Sequence, residues 1–274
     1  MMPERLWRIC ATALCFAGFA LACLVVALGA LPLVPVLPRQ QRQGLARQLV
    51  HHVLRVQVRL MCATGAMSVE VHGAEKLARR GLFIVANHPS LIDVTLLMAL
   101  TPYPDCIVKA ALCRNPITFG PVYASGFISN ADGPGLLRAA IDSVAAGNNL
   151  ILFPEGTRTP PGARPAFQRG AANIAVRGGL SVTPVLITCS EPTLPKGAPW
   201  YRVPRRRPHF VLHVLDDVPP AALLPEALPP SLGARLYTRR LEQFFIEEIA
   251  RHGPTDRRDQ AFDYREPEFG GHGA

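Results

Sequence analysis

From residue 68 onward the sequence alternates short apolar runs with longer segments of helical composition. The runs are rich in Val, Ile, Leu and Phe and are short enough to be buried strands, at residues 69–71, 82–85, 106–108, 149–153, 182–189 and 209–214. Helices are expected between them, at residues 74–80, 91–100, 135–146 and 166–177, and a last helix at 232–249. This alternation predicts an α/β fold with a mixed, largely parallel sheet flanked by helices.

The N-terminal region has a different character. Residues 9–38 contain no charged side chain and no histidine, which is longer than the ~20 residues that cross a bilayer. Arginines flank the segment on both sides, so charge does not indicate its orientation. A cleaved signal peptide is the alternative interpretation.

The segment after it, residues 40–60, has the periodicity of an amphipathic helix. Apolar residues recur at spacings of three and four, at Leu45, Leu49, Val53, Val56 and Leu60. The rest of the helix is basic, with Arg42, Arg47, Arg55, Arg59, His51 and His52. Such a helix either lies in a membrane interface or packs its apolar face on the folded domain. With the preceding segment it predicts a hairpin in one leaflet, or one span plus an interfacial helix.

Three regions are therefore expected. Residues 1–66 form a membrane-associated helical segment, residues 67–252 form the α/β domain, and residues 253–274 form a polar, flexible tail.

The charge of the chain limits its partners. A formal net charge of +9 suits an anionic membrane, an acidic substrate or nucleic acid. Aromatic residues are 7% of the chain and no nucleic-acid module is recognisable, so nucleic acid is not expected. The seven cysteines include no Cys-x-x-Cys pair, which predicts reduced thiols and no metal site. The arginine run at 205–207 is suited to lipid phosphates or an acidic carrier, or is simply solvated.

A histidine and an aspartate lie five positions apart, at His88 and Asp93, between an expected strand and an expected helix. Ligand sites of α/β proteins commonly occur at such turns. A neutral imidazole can remove a proton from a hydroxyl, and a carboxylate on the other ring nitrogen orients the ring and stabilises its charged form. The pair is therefore a candidate general base with its orienting group, although a structural turn could have the same spacing.

A second candidate turn follows the strand expected at 149–153. Its sequence is Phe-Pro-Glu-Gly-Thr-Arg at 153–158, and Gly156 allows a ligand to approach the backbone. Thr157 and Arg158 can donate hydrogen bonds to a phosphate, for which the guanidinium fork is well suited. Glu155 either pairs with Arg158 or binds a hydroxyl. An ordinary turn with a surface ion pair would have the same composition.

Taken together, the two turns resemble the glycerophospholipid acyltransferase family, whose best-known members are the 1-acylglycerol-3-phosphate acyltransferases. The resemblance rests on Asn87-His88-x-x-x-x-Asp93 followed by the motif at 153–158, and extends from about residue 71 to 218. Looser matches are residues 125–128, residues 183–185, and Lys109 between the first two motifs.

The resemblance implies an O-acyltransferase that moves an acyl group from a thioester to a lipid hydroxyl without a cofactor. His88 would be the base and Asp93 would orient it. The implied acceptor site comprises Lys109, Phe127, Glu155, Gly156, Thr157, Arg158 and Pro184. The implied acceptor is a lysophospholipid, with 1-acylglycerol-3-phosphate as the leading candidate. The implied donor is acyl-CoA or acyl carrier protein. The expected location is the cytoplasmic side of the inner membrane.

One position departs from the family pattern. After Phe127-Ile128 the family often has an acidic residue and then arginine, where this chain has Ser129-Asn130. A different lipid acceptor or an unusual acyl donor therefore stays open. A non-catalytic lipid-binding relative and a secreted hydrolase of acyl chains are also compatible with the sequence.

Overall fold

The computed structural model describes residues 2–133, 135–224 and 228–252, so the expected tail at 253–274 lies outside the described residues. The strands are β1 (Ser68–His72), β2 (Phe83–Ala86), β3 (Pro104–Val108), β4 (Ile128–Ser129), β5 (Asn149–Leu152), β6 (Val182–Cys189) and β7 (His209–Val214). The helices are α1 (Met2–Ala30), α2 (Arg39–Ala63), α3 (Asp93–Leu100), α4 (Phe119–Ser125), α5 (Gly135–Ala145), α6 (Arg169–Gly178), α7 (Pro220–Leu223) and α8 (Pro230–Arg251).

The seven strands form one sheet in the order β1-β7-β6-β2-β5-β3-β4. Every neighbouring pair is parallel except β6 and β7, which are antiparallel. The predicted α/β fold with a mixed, largely parallel sheet flanked by helices is therefore confirmed.

The central strand β2 is buried on both faces because its side chains alternate between two cores. Ile84 and Ala86 pack in a cluster that includes α2 and α3. Phe83 and Val85 pack in a second cluster with α5, α6 and α8. Val85 also pairs with Leu152 of β5, so the chain leaves β2 and β5 at the same edge of the sheet. Both candidate turns begin at this edge.

Local structure differs from the sequence prediction in several places. Residues 74–80 were expected to be an α-helix, but Ala74–Ala78 form a 3₁₀ helix. Gly73 before it has a left-handed φ of 74° and Arg79 after it is extended, which leaves too few residues for an α-helical turn to propagate. The sequence pattern also missed α4 and the two-residue strand β4. The helix expected from residue 91 begins at Asp93.

Helices α1 and α2 run antiparallel as a hairpin. The Trp7 indole near the start of α1 donates to the Thr64 carbonyl after α2 at 3.0 Å, and Gln57 donates to the Cys15 carbonyl at 2.8 Å. A single helix in the described part of the chain, α1 over Glu4–Ala30, is long and apolar enough to cross a membrane.

The face of α2 that packs on the sheet domain is not the face that the periodicity predicted. Leu45 and Val56 of the predicted apolar face are exposed. Arg47 and His51 of the predicted basic face are buried, because each finds a partner on the domain. Arg47 pairs with Asp105 of β3 at 2.9 Å, and the His51 ring contacts the Met98 carbonyl of α3 at 3.0 Å.

Candidate active site

His88 and Asp93 form a hydrogen-bonded pair just after β2. The distance from His88 Nδ1 to Asp93 Oδ2 is 2.8 Å. The Asp93 side chain is fully buried at the start of α3, whereas 15% of the His88 side chain is exposed. The His88 ring also packs against Phe153, with ring centroids 4.3 Å apart. Within the described residues His88 Nε2 has no hydrogen-bond partner, so this nitrogen is left for a substrate.

The surroundings of Asp93 explain how it can support a charged imidazole. Its Oδ2 also accepts the backbone N–H of Ser90 at 2.7 Å, which fixes the carboxylate in the turn. Burial raises the pKa of the Asp93 carboxyl above its ordinary value, and the hydrogen bond from His88 opposes that shift. A desolvated carboxylate interacts strongly with a neighbouring imidazolium, because little water screens the pair. The arrangement therefore holds the His88 ring through Nδ1 and leaves Nε2 facing away from the carboxylate.

The turn after β5 is hydrogen-bonded to the histidine turn. Glu155 Oε1 accepts the backbone N–H of His88 at 3.0 Å, and the Thr159 N–H donates to the His88 carbonyl at 2.9 Å. Gly156 has a φ of 66°, a left-handed conformation that other residues adopt only with strain. These bonds place the two motifs in one site, with Glu155 behind the histidine backbone.

Arg158 connects the site to the loop that follows β6. Its Nη1 donates to the Leu194 carbonyl at 2.6 Å, and Ser90 Oγ donates to the neighbouring Thr193 carbonyl at 2.9 Å. Burial raises the pKa of Asp93, and the Arg158 charge is one of the contributions that oppose this rise. Arg158 therefore has a structural contact in addition to the phosphate contact that the family resemblance implies.

An apolar cavity of about 330 Å³ lies beside the pair. Its walls come from α1, α2, α3, the segment 118–127 and the loop after β6. Its lining includes Leu91, Ile92 and Val94, which flank Asp93 in the sequence, and Thr193 and Leu194 of the loop after β6. Few polar side chains reach it, so it suits a hydrocarbon chain rather than a polar ligand.

A second cavity of about 350 Å³ lies among the turn 87–90, residues 159–165, the loop after β6 and α8. Glu155 and Glu191 line it, and within the described ranges no Lys, Arg or His does. Glu155 is 6% exposed, and its Oε2 has no hydrogen-bond partner among the described residues. Burial raises the pKa of Glu155 above its ordinary value. This cavity therefore has two glutamates among lining residues that are otherwise uncharged.

The remaining predicted site residues lie at varied distances from the pair. Phe127 lines the apolar cavity. Lys109 is exposed directly after β3, which β5 separates from β2. Thr157 is half-buried within the turn at 153–158. Pro184 is buried within β6, level with Val85, and lines neither cavity.

The sequence analysis missed three supporting residues. Ser90 fixes Asp93 and the Thr193 loop, and Thr159 bonds both to the His88 carbonyl and, at 3.3 Å, to Glu155. The Asn87 side chain accepts the Ile187 N–H at 2.7 Å and donates to the Ile187 carbonyl at 2.8 Å. Ser90 and Asn87 lie inside the first motif, so short polar residues among apolar neighbours were the available signal.

Comparison with known proteins gives a family match over the region that holds both motifs. The Acyltransferase family model matches residues 68–188, which include both motifs and the strands β1 to β6. The family match thus falls on the part of the chain that carries both motifs, and the resemblance predicted from the two motifs is confirmed.

Individual relatives are named for acyl transfer to 1-acyl-sn-glycerol-3-phosphate or to lyso-ornithine lipid. The 1-acyl-sn-glycerol-3-phosphate acyltransferase of Cocos nucifera is 31% identical over 128 residues, which cover 44% of this chain and 41% of that protein. The Saccharomyces cerevisiae enzyme of the same name is 27% identical, over 53% of this chain and 49% of its own. The lyso-ornithine lipid O-acyltransferase of Pseudomonas aeruginosa is 30% identical, over 49% and 53%. The chain thus spans about half the length of these relatives.

A solved structure shares the fold over most of the chain. It is the 1-acyl-sn-glycerophosphate acyltransferase PlsC from Thermotoga maritima, with a TM-score of 0.67 and 22% sequence identity. The alignment covers 91% of this chain and 97% of that one, so it includes part of the N-terminal helical hairpin as well as the sheet.

Proposed function

We propose that this protein is an O-acyltransferase that moves an acyl group from a thioester donor to a lysophospholipid hydroxyl, with 1-acylglycerol-3-phosphate as the acceptor. The observation that carries the proposal is the His88–Asp93 pair beside an apolar cavity. The family match and the named relatives support the same reaction class.

The proposed chemistry needs one base and no covalent enzyme intermediate. His88 Nε2 takes the proton of the acceptor hydroxyl as that oxygen bonds to the thioester carbonyl carbon. Asp93 holds the ring through Nδ1 and stabilises the imidazolium. When the tetrahedral intermediate collapses, the carbon–sulfur bond breaks and the imidazolium proton passes to the leaving thiolate. The products are the ester and the free thiol, and His88 is again neutral.

The site has an apolar cavity and a group of polar residues, and we assign one part of the substrates to each. The acyl chain occupies the apolar cavity, past Leu91 and Phe127. Arg158, Lys109, Thr157 and the Gly156 backbone hold the acceptor phosphate, and Glu155 supports the His88 backbone. Acyl-CoA and acyl carrier protein are both acidic donors, which suits a chain of net charge +9.

We further propose that the protein works at a membrane, on the cytoplasmic side where thioester donors are made. The length and composition of α1 support membrane association. The antiparallel packing of α1 on α2 favours a hairpin that enters one leaflet over a single span. Protease protection in sealed vesicles distinguishes these arrangements, because only a span places the N-terminus on the far side.

Incubation of the purified chain with a panel of lysolipid acceptors tests the proposal. Acyl-CoA and acyl carrier protein are supplied separately, and the products are identified by mass spectrometry. We expect diacyl product from 1-acylglycerol-3-phosphate and none from the fully acylated lipid. Hydrolysis of the donor without a lipid product would support a hydrolase, and binding without turnover would support a non-catalytic lipid-binding protein.

A second candidate acceptor is a lysolipid whose headgroup carries an ammonium group. Two observations favour it. Ser129 and Asn130 are uncharged, so they supply no cation where the family often has arginine. Their side chains instead accept the backbone N–H groups of Ala131 and Ala110. The second cavity is lined by two glutamates, and one of these has an unsatisfied buried oxygen that an ammonium group would satisfy. The P. aeruginosa relative acts, by its name, on lyso-ornithine lipid.

The two acceptors are separated by one substitution. Glu155→Gln keeps an acceptor oxygen for the His88 N–H but removes the negative charge. An ammonium-bearing acceptor should then lose apparent affinity while a phosphate-bearing one keeps it. Glu191→Gln is the matched control. It removes a negative charge from the same cavity but leaves the hydrogen bond between Glu155 and the His88 N–H unchanged.

A further inference from the structure

The segment between β6 and β7 carries an unusual combination of exposed side chains. We refer to residues 191–207 as the arm. Trp200 and Tyr201 are 44% and 57% exposed, and Arg202, Arg205 and Arg206 follow them, all exposed. Exposed aromatic residues beside arginines have no role in the acyl-transfer chemistry proposed above.

The arm is held at both ends by the rest of the protein. At its start the Leu194 and Thr193 carbonyls accept hydrogen bonds from Arg158 and Ser90. At its end Arg207 donates to the Met67 carbonyl at 2.6 Å, next to the C-terminal end of α2. The exposed middle of the arm therefore lies between two anchored ends, one at the active site and one at the helical hairpin.

The middle of the arm adjoins exposed apolar side chains of α1. The Trp200 ring contacts Phe16 of α1 edge-on, with centroids 6.2 Å apart. Phe16 is 37% exposed, and α1 exposes further large apolar side chains, Leu14, Leu21, Leu24, Val25 and Leu28. The inner side of the arm, including Arg202 and Val203, lines the apolar cavity. The arm and α1 therefore form one continuous surface over that cavity.

We propose that the arm is a second membrane-contacting element, which docks on an anionic bilayer beside α1. Trp and Tyr prefer the boundary between headgroups and acyl chains, because one end of each ring is apolar and the other is polar. Arginines directly next to them would meet lipid phosphates, which an anionic leaflet supplies at high density. Docked in this way, the arm holds the wall of the apolar cavity against the bilayer, where lipid acceptors and products are found. The inference rests on the proposed membrane location.

The chain has two tryptophans, Trp7 and Trp200, so each can be observed alone. The full-length Trp7→Phe variant is placed in vesicles that contain phosphatidylglycerol and lipids brominated at defined acyl depths. We expect strong quenching of Trp200 by bromine near the headgroups and weak quenching by bromine near the bilayer centre. Equal emission with and without brominated lipid would overturn the proposal.

The Trp200→Phe variant leaves Trp7 on α1 as an internal reference. Quenching of Trp7 without quenching of Trp200 would show that the protein is at the membrane and that the arm is not, which rejects the arm while the proposed membrane location stands. Absence of quenching for both would reject the membrane location itself. Acyl transfer by the purified chain is measured in the same preparations, so a loss of docking and a loss of chemistry are separate readouts.

The arginines are tested in the Trp7→Phe background. Arg205→Gln with Arg206→Gln should remove most of the increase in Trp200 quenching that phosphatidylglycerol produces over phosphatidylcholine. Arg235→Gln with Arg239→Gln, two exposed arginines on α8, changes net charge equally and should leave that increase unchanged. An equal effect of both pairs would contradict a specific role for the arm.

Discussion

The buried ion pair between Arg47 and Asp105 gives a quantitative prediction about how the helical hairpin is attached. The two side chains are 8% and 0% exposed and approach to 2.9 Å. Arg47→Met removes the charge and keeps much of the side-chain volume. It leaves Asp105 as a buried carboxylate without its counter-ion.

The expected cost follows from what Asp105 retains. Breaking a buried ion pair by removing one partner costs about 3–5 kcal/mol. Asp105 keeps the Cys106 N–H at 2.8 Å and the Ser143 hydroxyl, so we expect the lower end, about 3 kcal/mol. For a chain of this size that corresponds to a fall of roughly 6–12 °C in the melting temperature.

The loss should also depend on pH in a definite direction. Burial already raises the pKa of Asp105, and the Arg47 charge opposes that shift. Removal of Arg47 raises the folded-state pKa further above the unfolded value. A group with a raised folded pKa destabilises the fold increasingly as pH rises through that pKa. The loss of folding stability in Arg47→Met, relative to the wild type, should therefore be smaller at about pH 5 than at about pH 8.

Thermal unfolding of the detergent-solubilised full chain measures both effects. Arg79→Met is the matched control, because Arg79 pairs with Asp217 at 2.7 Å but is half exposed, and such pairs contribute about 1 kcal/mol or less. Arg47→Met combined with Asp105→Asn should recover part of the lost stability, since no unpaired charge remains and the amide oxygen can still accept the Cys106 N–H. Equal shifts for Arg47→Met and Arg79→Met, or a deficit that grows at low pH, would refute this reasoning.

Two further substitutions test the active site. Asp93→Asn should lower the rate of acyl transfer by roughly 10²–10⁴-fold with little change in circular dichroism, because the amide cannot stabilise the imidazolium; steady-state assays that show a wild-type rate would contradict the orienting role. Gly156→Ala should destabilise the chain by about 1–2 kcal/mol, because Gly156 has a φ of 66° and alanine is strained there; an unchanged melting temperature would show that the turn relaxes.

Much of the fold was predictable because its signals are local. Buried parallel strands are short apolar runs, so β6 at Val182–Cys189 and β7 at His209–Val214 match the expected segments. The 3₁₀ helix at Ala74–Ala78 was misassigned because its composition is helical while Gly73 fixes the backbone before it. The two-residue strand β4 carries too little periodicity to be detected.

The packing face of α2 shows why some features were not predictable. Periodicity counts Arg47 and His51 as polar and therefore solvent-exposed. Both are buried because their partners, Asp105 and Met98, lie about fifty residues further along the chain. Such long-range pairing has no signature within the helix itself.

The features of the site likewise divide into those with a local sequence signal and those that depend on the fold. His88 and Asp93 lie within one turn, so the sequence named them as a candidate pair, and the second motif at 153–158 supported that prediction. The bond from the His88 N–H to Glu155 spans two strands and depends on the sheet order. The arm's contact with α1 depends on how the hairpin folds back over the domain. Sequence motifs indicated the reaction, whereas only the fold indicates which surfaces surround it.

The central claim is that His88 is the base for acyl transfer, and a single-turnover measurement tests it most directly. Purified wild-type protein and His88→Gln are mixed with a labelled acyl thioester and 1-acylglycerol-3-phosphate, and the diacyl product is followed over time. His72→Gln, at an exposed histidine on the edge strand β1, is the control. We expect His72→Gln to match the wild type and His88→Gln to be slower by roughly 10²–10⁴-fold with its fold intact. Product formation by His88→Gln at the wild-type rate would contradict the mechanism.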